Sequence, residues 1–167
     1  MSRVARYHAD RTNQKLYFTR LAYQQAEKSE SMQHAQGARE AAVFHLQGAL
    51  LAFLQELARY YKLEDIKPTL SSIEEKMALR GQVSPEIMML QQHAQNGFLA
   101  SLNRAFLACQ YAPEPPAAVA EEEASSLLIL KVTQGAQSWL PDVVLLKEWH
   151  RELTQLIEGF RNEMVEF

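Results

Sequence analysis

A chain of 167 residues, of which 47% are hydrophobic and 22% are charged, is long enough to bury the core of one domain. Its net charge of −3 argues against a phosphate-binding field over the whole surface, and so against nucleic acid as a partner. Cys109 is the single cysteine, which excludes an internal disulfide and a zinc site built on paired cysteines.

The N-terminal residues and the longest uncharged stretch bear on where the chain resides. MSRVARYHADR has no apolar run of signal-peptide length, and the uncharged stretch from Ala41 to Gln55 is too short to span a bilayer. Cys109 lies among small and apolar residues, so we expect a buried, unreactive thiol. We therefore expect a soluble cytoplasmic chain in a reducing compartment, with no membrane partner.

The first two predicted helices are long. The first begins at Asp10, a good N-cap residue, and ends near Lys28. The second runs from about Gln36 to Lys62 and is apolar over half of its helical wheel, which predicts a central position in a bundle. Its opposite side carries small residues that allow a neighbouring helix to approach closely. These small residues are Ala41, Ala49 and Ala52.

Two shorter helices are predicted next. A third helix follows PTLSSIEEK, in which Ser71–Glu74 or Ser72–Glu75 has the spacing of a capping box. Ser84-Pro85-Glu86 begins the fourth, with an N-cap, a proline at the first helical position and an acid in the first turn. Asn96-Gly97 either kinks this helix or divides it. Its expected core residues are Ile87, Leu90, Ala94, Phe98, Leu102, Ala105 and Cys109.

The C-terminal part of the chain combines a linker with one more helix. Residues 112–126, APEPPAAVAEEEASS, predict a flexible, solvated linker. Residues 126–132, SLLILKV, are ambiguous between a strand, a short helix and an extended segment. A long amphipathic helix follows from Pro141 to about Val165. We predict an all-α fold, with residues 1–167 forming a single domain that is one bundle of about five helices.

Four stretches of the chain share a pattern with other proteins. They are RTNQKLYF (11–18), REAAVFHLQGALLAFLQELARYY (39–61), SPEIMML with the later FLASLNRAF, and the C-terminal WHRELTQLIEGFRNEMVEF. Over most of its length the chain resembles an uncharacterised gammaproteobacterial family of small all-helical proteins, a domain of unknown function. The Pro/Glu-rich linker is the least similar part. The resemblance implies a bacterial cytosolic helical protein and brings no catalytic residue with it.

Arg39 and His45 are the candidates for a catalytic pair. HEPN-type ribonucleases, which are small helical bundles, carry an Arg separated from a His by four to six residues, a range that includes both Arg39–His45 and Arg3–His8. The His would act on a ribose hydroxyl or leaving group and the Arg would stabilise phosphate charge, in composite sites across a dimer. Against this, a continuous helix places Arg39 and His45 about 120° apart. Glu40 would also put an acid beside the phosphate.

No motif predicts a metal or another cofactor. A di-iron bundle needs Glu-x-x-His pairs on two helices, and no His in this chain has an acid three residues before it. Glu30 and His34, four residues apart, would supply at most half of a metal site. The sequence also lacks a Gly-rich phosphate loop and the motifs of serine hydrolases and zinc proteases.

Two surface patterns bear on partners. Arg11, Lys15 and Arg20 are placed to contact phosphates with Tyr17 stacking on a base, but an amphipathic first helix explains these residues better. A methionine-rich groove can bind partner helices, although core filling is the simpler explanation here. The methionines are Met77, Met88 and Met89.

The sequence favours a non-enzymatic structural or protein-interaction module. Its partner would be a second copy of the chain or an unknown protein. A homodimer would use the alanine side of the second helix or the region of Trp139 and Trp149. The alternative is a HEPN-like ribonuclease or RNA-binding bundle that uses Arg39 and His45. A third hypothesis, a carrier of apolar ligands, requires a cavity between the second and fourth helices.

Overall fold

The computed structural model describes residues 3–65, 67–111 and 139–165, and all regular structure in these ranges is helical. This confirms the all-α prediction, with six helices in the described part where about five were expected. The helices are α1 (Arg3–Lys28), α2 (Met32–Tyr60), α3 (Leu70–Leu79), α4 (Pro85–Asn96), α5 (Phe98–Gln110) and α6 (Val143–Val165).

α2 lies at the centre of the bundle, as its wide apolar arc predicts. α1, α5 and α6 all pack against it. Val43, Leu46 and Leu57 are fully buried, and the ring of Phe53 stacks on the ring of Phe160 in α6 with centroids 5.9 Å apart. Burying one such side chain completely contributes roughly 1.5–3 kcal/mol to stability. The residues of α2 therefore supply a large part of the core.

α1 packs along the alanine side of α2. The two helices form the most extensive contact between elements in the described part of the chain. Ala49 and Ala52 are buried on the same side of α2 as His45, whose ring lies 5.3 Å from the ring of Phe18 in α1. This side is therefore covered by α1 within the chain, and the predicted homodimer stays a prediction. Trp149 is also buried, with 6% of its surface exposed.

The N-cap of α3 differs from the predicted ones. The Thr69 hydroxyl accepts a hydrogen bond from the backbone N–H of Ser72 at 3.1 Å, and the Ser72 hydroxyl accepts one from the Thr69 N–H at 2.9 Å. The Ser71–Glu74 and Ser72–Glu75 boxes are therefore wrong. The capping box was missed because a serine takes the position where the motif usually carries Glu or Gln.

Gly97 divides the predicted fourth helix into α4 and α5. Its backbone is extended, and a Cβ at this position would lie 2.8 Å from Nδ1 and 2.9 Å from Cα of His93. A side chain at residue 97 would therefore require the backbone at His93 to shift, which glycine avoids. Ala94, predicted to face the core, is instead exposed because the core side of α4 does not continue directly into that of α5. The N-cap at Ser84 is confirmed, since its hydroxyl accepts a hydrogen bond from the Ile87 N–H at 3.2 Å.

α6 confirms the predicted C-terminal helix. It begins at Val143, and the carboxylate of Asp142 caps it by accepting a hydrogen bond from the Leu145 N–H at 2.8 Å. The predicted linker, 112–126, and the ambiguous segment, 126–132, lie outside the described residues. Both stay predictions, as does the assignment of residues 1–167 to one domain.

Candidate functional site

Arg39 and His45, the predicted catalytic candidates, lie in different surroundings. Arg39 is half-buried and lines an open depression with Asp142 and Glu148 at the start of α6. The His45 ring lies 5.3 Å from the ring of Phe18 in α1. Because α2 is continuous, six residues separate the two side chains by about 9 Å along the axis and about 120° around it. Within one chain they do not share a cleft, and catalysis across two chains stays an untested prediction.

An exposed apolar stripe runs along one side of α2. Phe44 and Leu51, seven residues apart, lie two turns from each other on one side of the helix and are 51% and 49% exposed. Gly48 lies between them. We call Phe44, Gly48 and Leu51 the α2 stripe. Its apolar surface continues onto α5, because the Phe44 ring lies 6.2 Å from the half-buried ring of Phe106.

The side chain of Lys15 crosses the α2 stripe from α1. Its Cδ lies 3.2 Å from the point that a Cβ on Gly48 would occupy. Its Nζ reaches 5.6 Å from the centre of the Phe44 ring. The missing side chain at Gly48 therefore provides the space in which the aliphatic part of Lys15 lies, and its charge ends beside an exposed aromatic ring.

Lys15 and Arg11 of α1 form a basic cluster, which we call the α1 basic cluster. His45 of α2 lies beside it. Burial and the nearby charge of Arg11 lower the pKa of Lys15. Burial, together with the charges of Lys15 and Arg11, lowers the pKa of His45. The Nδ1 atom of His45 is buried and has no hydrogen-bond partner.

No carboxylate among the described residues pairs with Arg11 or Lys15. The ion pairs in that part of the chain join Lys76 to Asp65, Lys147 to Glu27 and Arg161 to Glu56. Arg11 donates a hydrogen bond to the neutral amide of Gln14. The cluster therefore presents positive charge that the described fold leaves without an acidic partner, directly beside the α2 stripe.

A second polar site ties α1, α2 and α6 together. Arg161 donates to both carboxylate oxygens of Glu56, at 3.0 and 2.7 Å, and to the Asn13 side chain at 2.8 Å. Nearby, Nε2 of His150 donates to the carbonyl oxygen of Leu16 at 3.0 Å. Asn13, His150 and Arg161 border an open groove of about 220 Å³ between α1 and α6. Their hydrogen-bonding capacity is largely used inside the fold, so this site fastens helices together.

A buried carboxylate joins the end of α2 to the start of α4. Glu86 is 7% exposed and accepts hydrogen bonds from the Tyr61 hydroxyl at 2.5 Å and the Ser84 hydroxyl at 2.6 Å. Burial of the Glu86 carboxyl opposes its ionisation, but the bonds from Ser84 and Tyr61 outweigh it and lower its pKa. Burial and the bond to Glu86 raise the pKa of Tyr61 to about 12. The sequence signalled the cap at Ser84 but not the distant tyrosine.

The other predicted site residues are separated from one another. Arg20 lies over the ring of Tyr17, with its guanidinium carbon 5.1 Å from the ring centre, and not in the α1 basic cluster.

Among the residues the structure describes, no group of three or more His, Cys, Asp or Glu could hold a metal ion, and Glu30 and His34 are both exposed. Cys109 is half-buried, and burial together with the charge of Glu40 raises the pKa of its thiol to about 11.

The three predicted methionines do not form a groove. Met77 is buried, while Met88 and Met89 are exposed on an open surface of α4 that also carries glutamines. This surface, the groove between α1 and α6 and the depression beside Arg39 are all open. None of the three lies between α2 and either α4 or α5, the two helices into which the predicted fourth helix divides. They give no support to the apolar-ligand carrier.

α2 is long and apolar enough to cross a membrane by length and composition, although the sequence suggested that its uncharged stretch was too short. More than half of its most apolar window is buried inside the bundle. That burial is the pattern of a core helix, and Phe44 and Leu51 are the exposed large apolar residues in its middle part, with Met32 and Tyr60 exposed at its two ends.

The comparisons with known proteins identify a family. The model of DUF6586, a family of unknown function, matches residues 7–167. Searches of curated proteins and of solved structures gave no match. The family match agrees with the resemblance inferred from the four sequence stretches and adds no residue with an assigned role.

Proposed function

We propose that this chain, which belongs to the family of unknown function DUF6586, is a non-enzymatic protein-interaction module that binds a partner through the α2 stripe. The observation that carries the proposal is the half-exposure of Phe44 and Leu51 on the central helix of the fold. Single exposed apolar residues are common on protein surfaces, but contiguous apolar patches with a polar rim mark interaction sites. The rings of Phe44 and Phe106 adjoin, Leu51 lies two turns farther along the same side of α2, and the α1 basic cluster forms the rim of this surface.

The polar groups of the fold support a binding role over catalysis. Glu86 and Arg161 are held by hydrogen bonds inside the fold, and the Cys109 thiol has a raised pKa that disfavours the reactive thiolate. A lone, unreactive thiol also suits a reducing compartment, so the proposal keeps the cytoplasmic location expected from the sequence.

A photo-crosslinking amino acid at residue 51 tests this function in the cells that make the chain. The matched control carries the same amino acid at residue 89, because Met89 on α4 is about as exposed as Leu51, at 46% against 49%. We expect a discrete crosslinked product with a different protein from residue 51 and not from residue 89.

The crosslink must also depend on the rest of the α2 stripe. Phe44→Glu should remove the product while the thermal unfolding of the purified chain stays close to that of the parent, since Phe44 is half-exposed. Absence of any product from residue 51, or equal products from residues 51 and 89, would show that the α2 stripe is not the binding surface.

A further inference from the structure

We infer that the partner presents an amphipathic helix whose apolar side lies on the α2 stripe and whose flank carries Asp or Glu opposite Arg11 and Lys15. This inference rests on the proposed function and names the chemistry of the partner. Its basis is the juxtaposition of an exposed apolar stripe with two cations that have no acidic partner among the described residues.

The shape of the surface suits a helix. Phe44, Gly48 and Leu51 follow the spacing of one helix side, and they lie between α1, which contributes Lys15, and α5, which contributes Phe106. A helix laid along this stripe would repeat the packing that α1 and α5 already make with α2. Gly48 at its centre adds no side chain, so only the flexible part of Lys15 separates the backbone of α2 from an incoming residue.

The positive charges of Lys15 and Arg11 favour a partner helix that carries acidic residues on its flank. Lys15 is already partly desolvated where it crosses Gly48, and a second helix would desolvate it further. A carboxylate on the partner would compensate that cost, whereas a neutral or basic flank would not. Glu40 of α2, one turn before Phe44, accepts a hydrogen bond from Gln36, and its charge acts on Cys109 of α5.

The same charges disfavour a second copy of this chain as the occupant. In a symmetric contact of two α2 stripes, Gly48 would lie near the two-fold axis because it is the middle residue of the stripe. The Lys15 side chains that cross Gly48 in each chain would then meet, and like charges brought together at an interface oppose binding. RNA is also disfavoured, because the cluster holds few cations on a chain with a net charge of −3.

The experiment begins from the segment that crosslinks to residue 51, identified by mass spectrometry. A synthetic, fluorescently labelled peptide of that segment is titrated with the purified full-length chain at low and high salt. Lys15→Glu and Arg11→Glu reverse charges in the α1 basic cluster. Arg151→Glu is the matched control, because Arg151 is an exposed cation on α6 with no ion pair among the described residues.

We expect a peptide with apolar residues at helical spacing and Asp or Glu on one flank. Its affinity should fall with salt, and it should fall roughly tenfold with Lys15→Glu or Arg11→Glu and stay unchanged with Arg151→Glu. Replacing the acids of the peptide by Lys should restore binding to the Lys15→Glu chain.

Each other outcome has a defined meaning. A crosslinked segment without Asp or Glu overturns this inference. So does a peptide affinity that changes neither with salt nor with Lys15→Glu. Neither result contradicts the proposed interaction module. A crosslink to RNA, to a second copy or to residues 112–138 of the same chain overturns it by naming a different occupant. No crosslink from residue 51 overturns the proposed function itself.

Discussion

The Nζ atom of Lys15 lies 5.6 Å from the centre of the Phe44 ring and reaches it across Gly48. A cation over an exposed aromatic ring contributes about 0.5–1 kcal/mol, so this contact holds the charge in place without being a major source of stability. The contact places the positive charge of Lys15 beside the exposed apolar side of the central helix. The Lys15–Gly48–Phe44 arrangement is therefore the feature from which the proposed binding surface follows.

Gly48→Ala tests whether Lys15 lies across the α2 stripe. Alanine in a helix interior is favoured over glycine by roughly 0.8–1 kcal/mol, but a Cβ at residue 48 would displace the Lys15 side chain. Gly37→Ala is the control, because nothing lies within 4 Å of a Cβ at that position of α2. Urea unfolding should show a smaller gain in the free energy of unfolding for Gly48→Ala than for Gly37→Ala. Equal gains would mean that Lys15 does not occupy this space.

Glu56→Gln should lower the free energy of unfolding by roughly 1–3 kcal/mol. The substitution weakens the bidentate hydrogen bonding with Arg161 and leaves the half-buried guanidinium without its counter-charge. Glu27→Gln is the comparison, since the Glu27–Lys147 pair is exposed and such pairs contribute about 0–1 kcal/mol. Urea titrations of both variants measure the difference. Similar losses for the two variants would contradict the fastening role of Arg161.

Tyr61→Phe should lower the free energy of unfolding by about 1–3 kcal/mol at neutral pH, because it removes a hydrogen bond to the buried carboxylate of Glu86. The Tyr61 pKa of about 12 keeps the hydroxyl protonated, and so a donor, over the whole working range. Tyr60→Phe is a close control, since Tyr60 is the exposed neighbour of Tyr61. Thermal unfolding of the two variants should differ; if it does not, Glu86 does not depend on Tyr61.

Two histidines should make the chain less stable in mild acid. Burial lowers the pKa of His150, and burial with the charges of Lys15 and Arg11 lowers the pKa of His45. Both pKa values are therefore lower in the folded than in the unfolded chain, so the unfolded chain binds protons first as the pH falls below about 6.5. Stability should be full above that pH and should decline below it until the folded histidines also protonate.

Melting temperatures of the parent and of His45→Gln and His150→Gln between pH 7.5 and about 5 measure this effect. Each substitution should reduce the loss of stability over this interval. His34→Gln is the control, because His34 is exposed. If the slopes of the three variants match that of the parent, the pKa values of His45 and His150 are not lowered.

The thiol of Cys109 should react slowly in the folded chain. Its pKa of about 11 leaves a thiolate fraction at pH 8 that is roughly a hundredfold below that of a thiol with its usual value of 9.0. The alkylation rate at pH 8, compared with the rate in urea, measures this protection. Comparable rates in the two conditions would show that Cys109 is accessible and ionised in the fold.

The sequence predicted the helices better than the contacts between them. The wide apolar arc of α2 and the Ser84-Pro85 cap are local patterns, so the central helix and the start of α4 were correctly placed. Asn96-Gly97 signalled an interruption, but only the approach of Gly97 to His93 shows that the helix divides there. The Thr69 cap was missed because its partner is a serine, which makes a less distinctive motif.

The candidate site could not be derived from the sequence for a similar reason. The helical wheel of α2 does not tell which part of a wide apolar arc stays exposed, since that depends on where α1, α5 and α6 pack. Lys15 and Gly48 are each ordinary in sequence, and their contact joins residues on two helices. The Arg39–His45 spacing was visible in sequence, and the continuity of α2 is what separates the two side chains.

Cysteine accessibility in cells tests the proposed use of the α2 stripe most directly. Leu51→Cys and Met89→Cys are each placed in a Cys109→Ala chain made at its natural level. Their alkylation by a membrane-permeant maleimide is then compared between intact cells and the purified chain. A bound partner predicts that residue 51 reacts rapidly in the purified chain and slowly in cells, while residue 89 reacts alike in both. Equal protection of the two residues, or no protection of residue 51, would contradict the account.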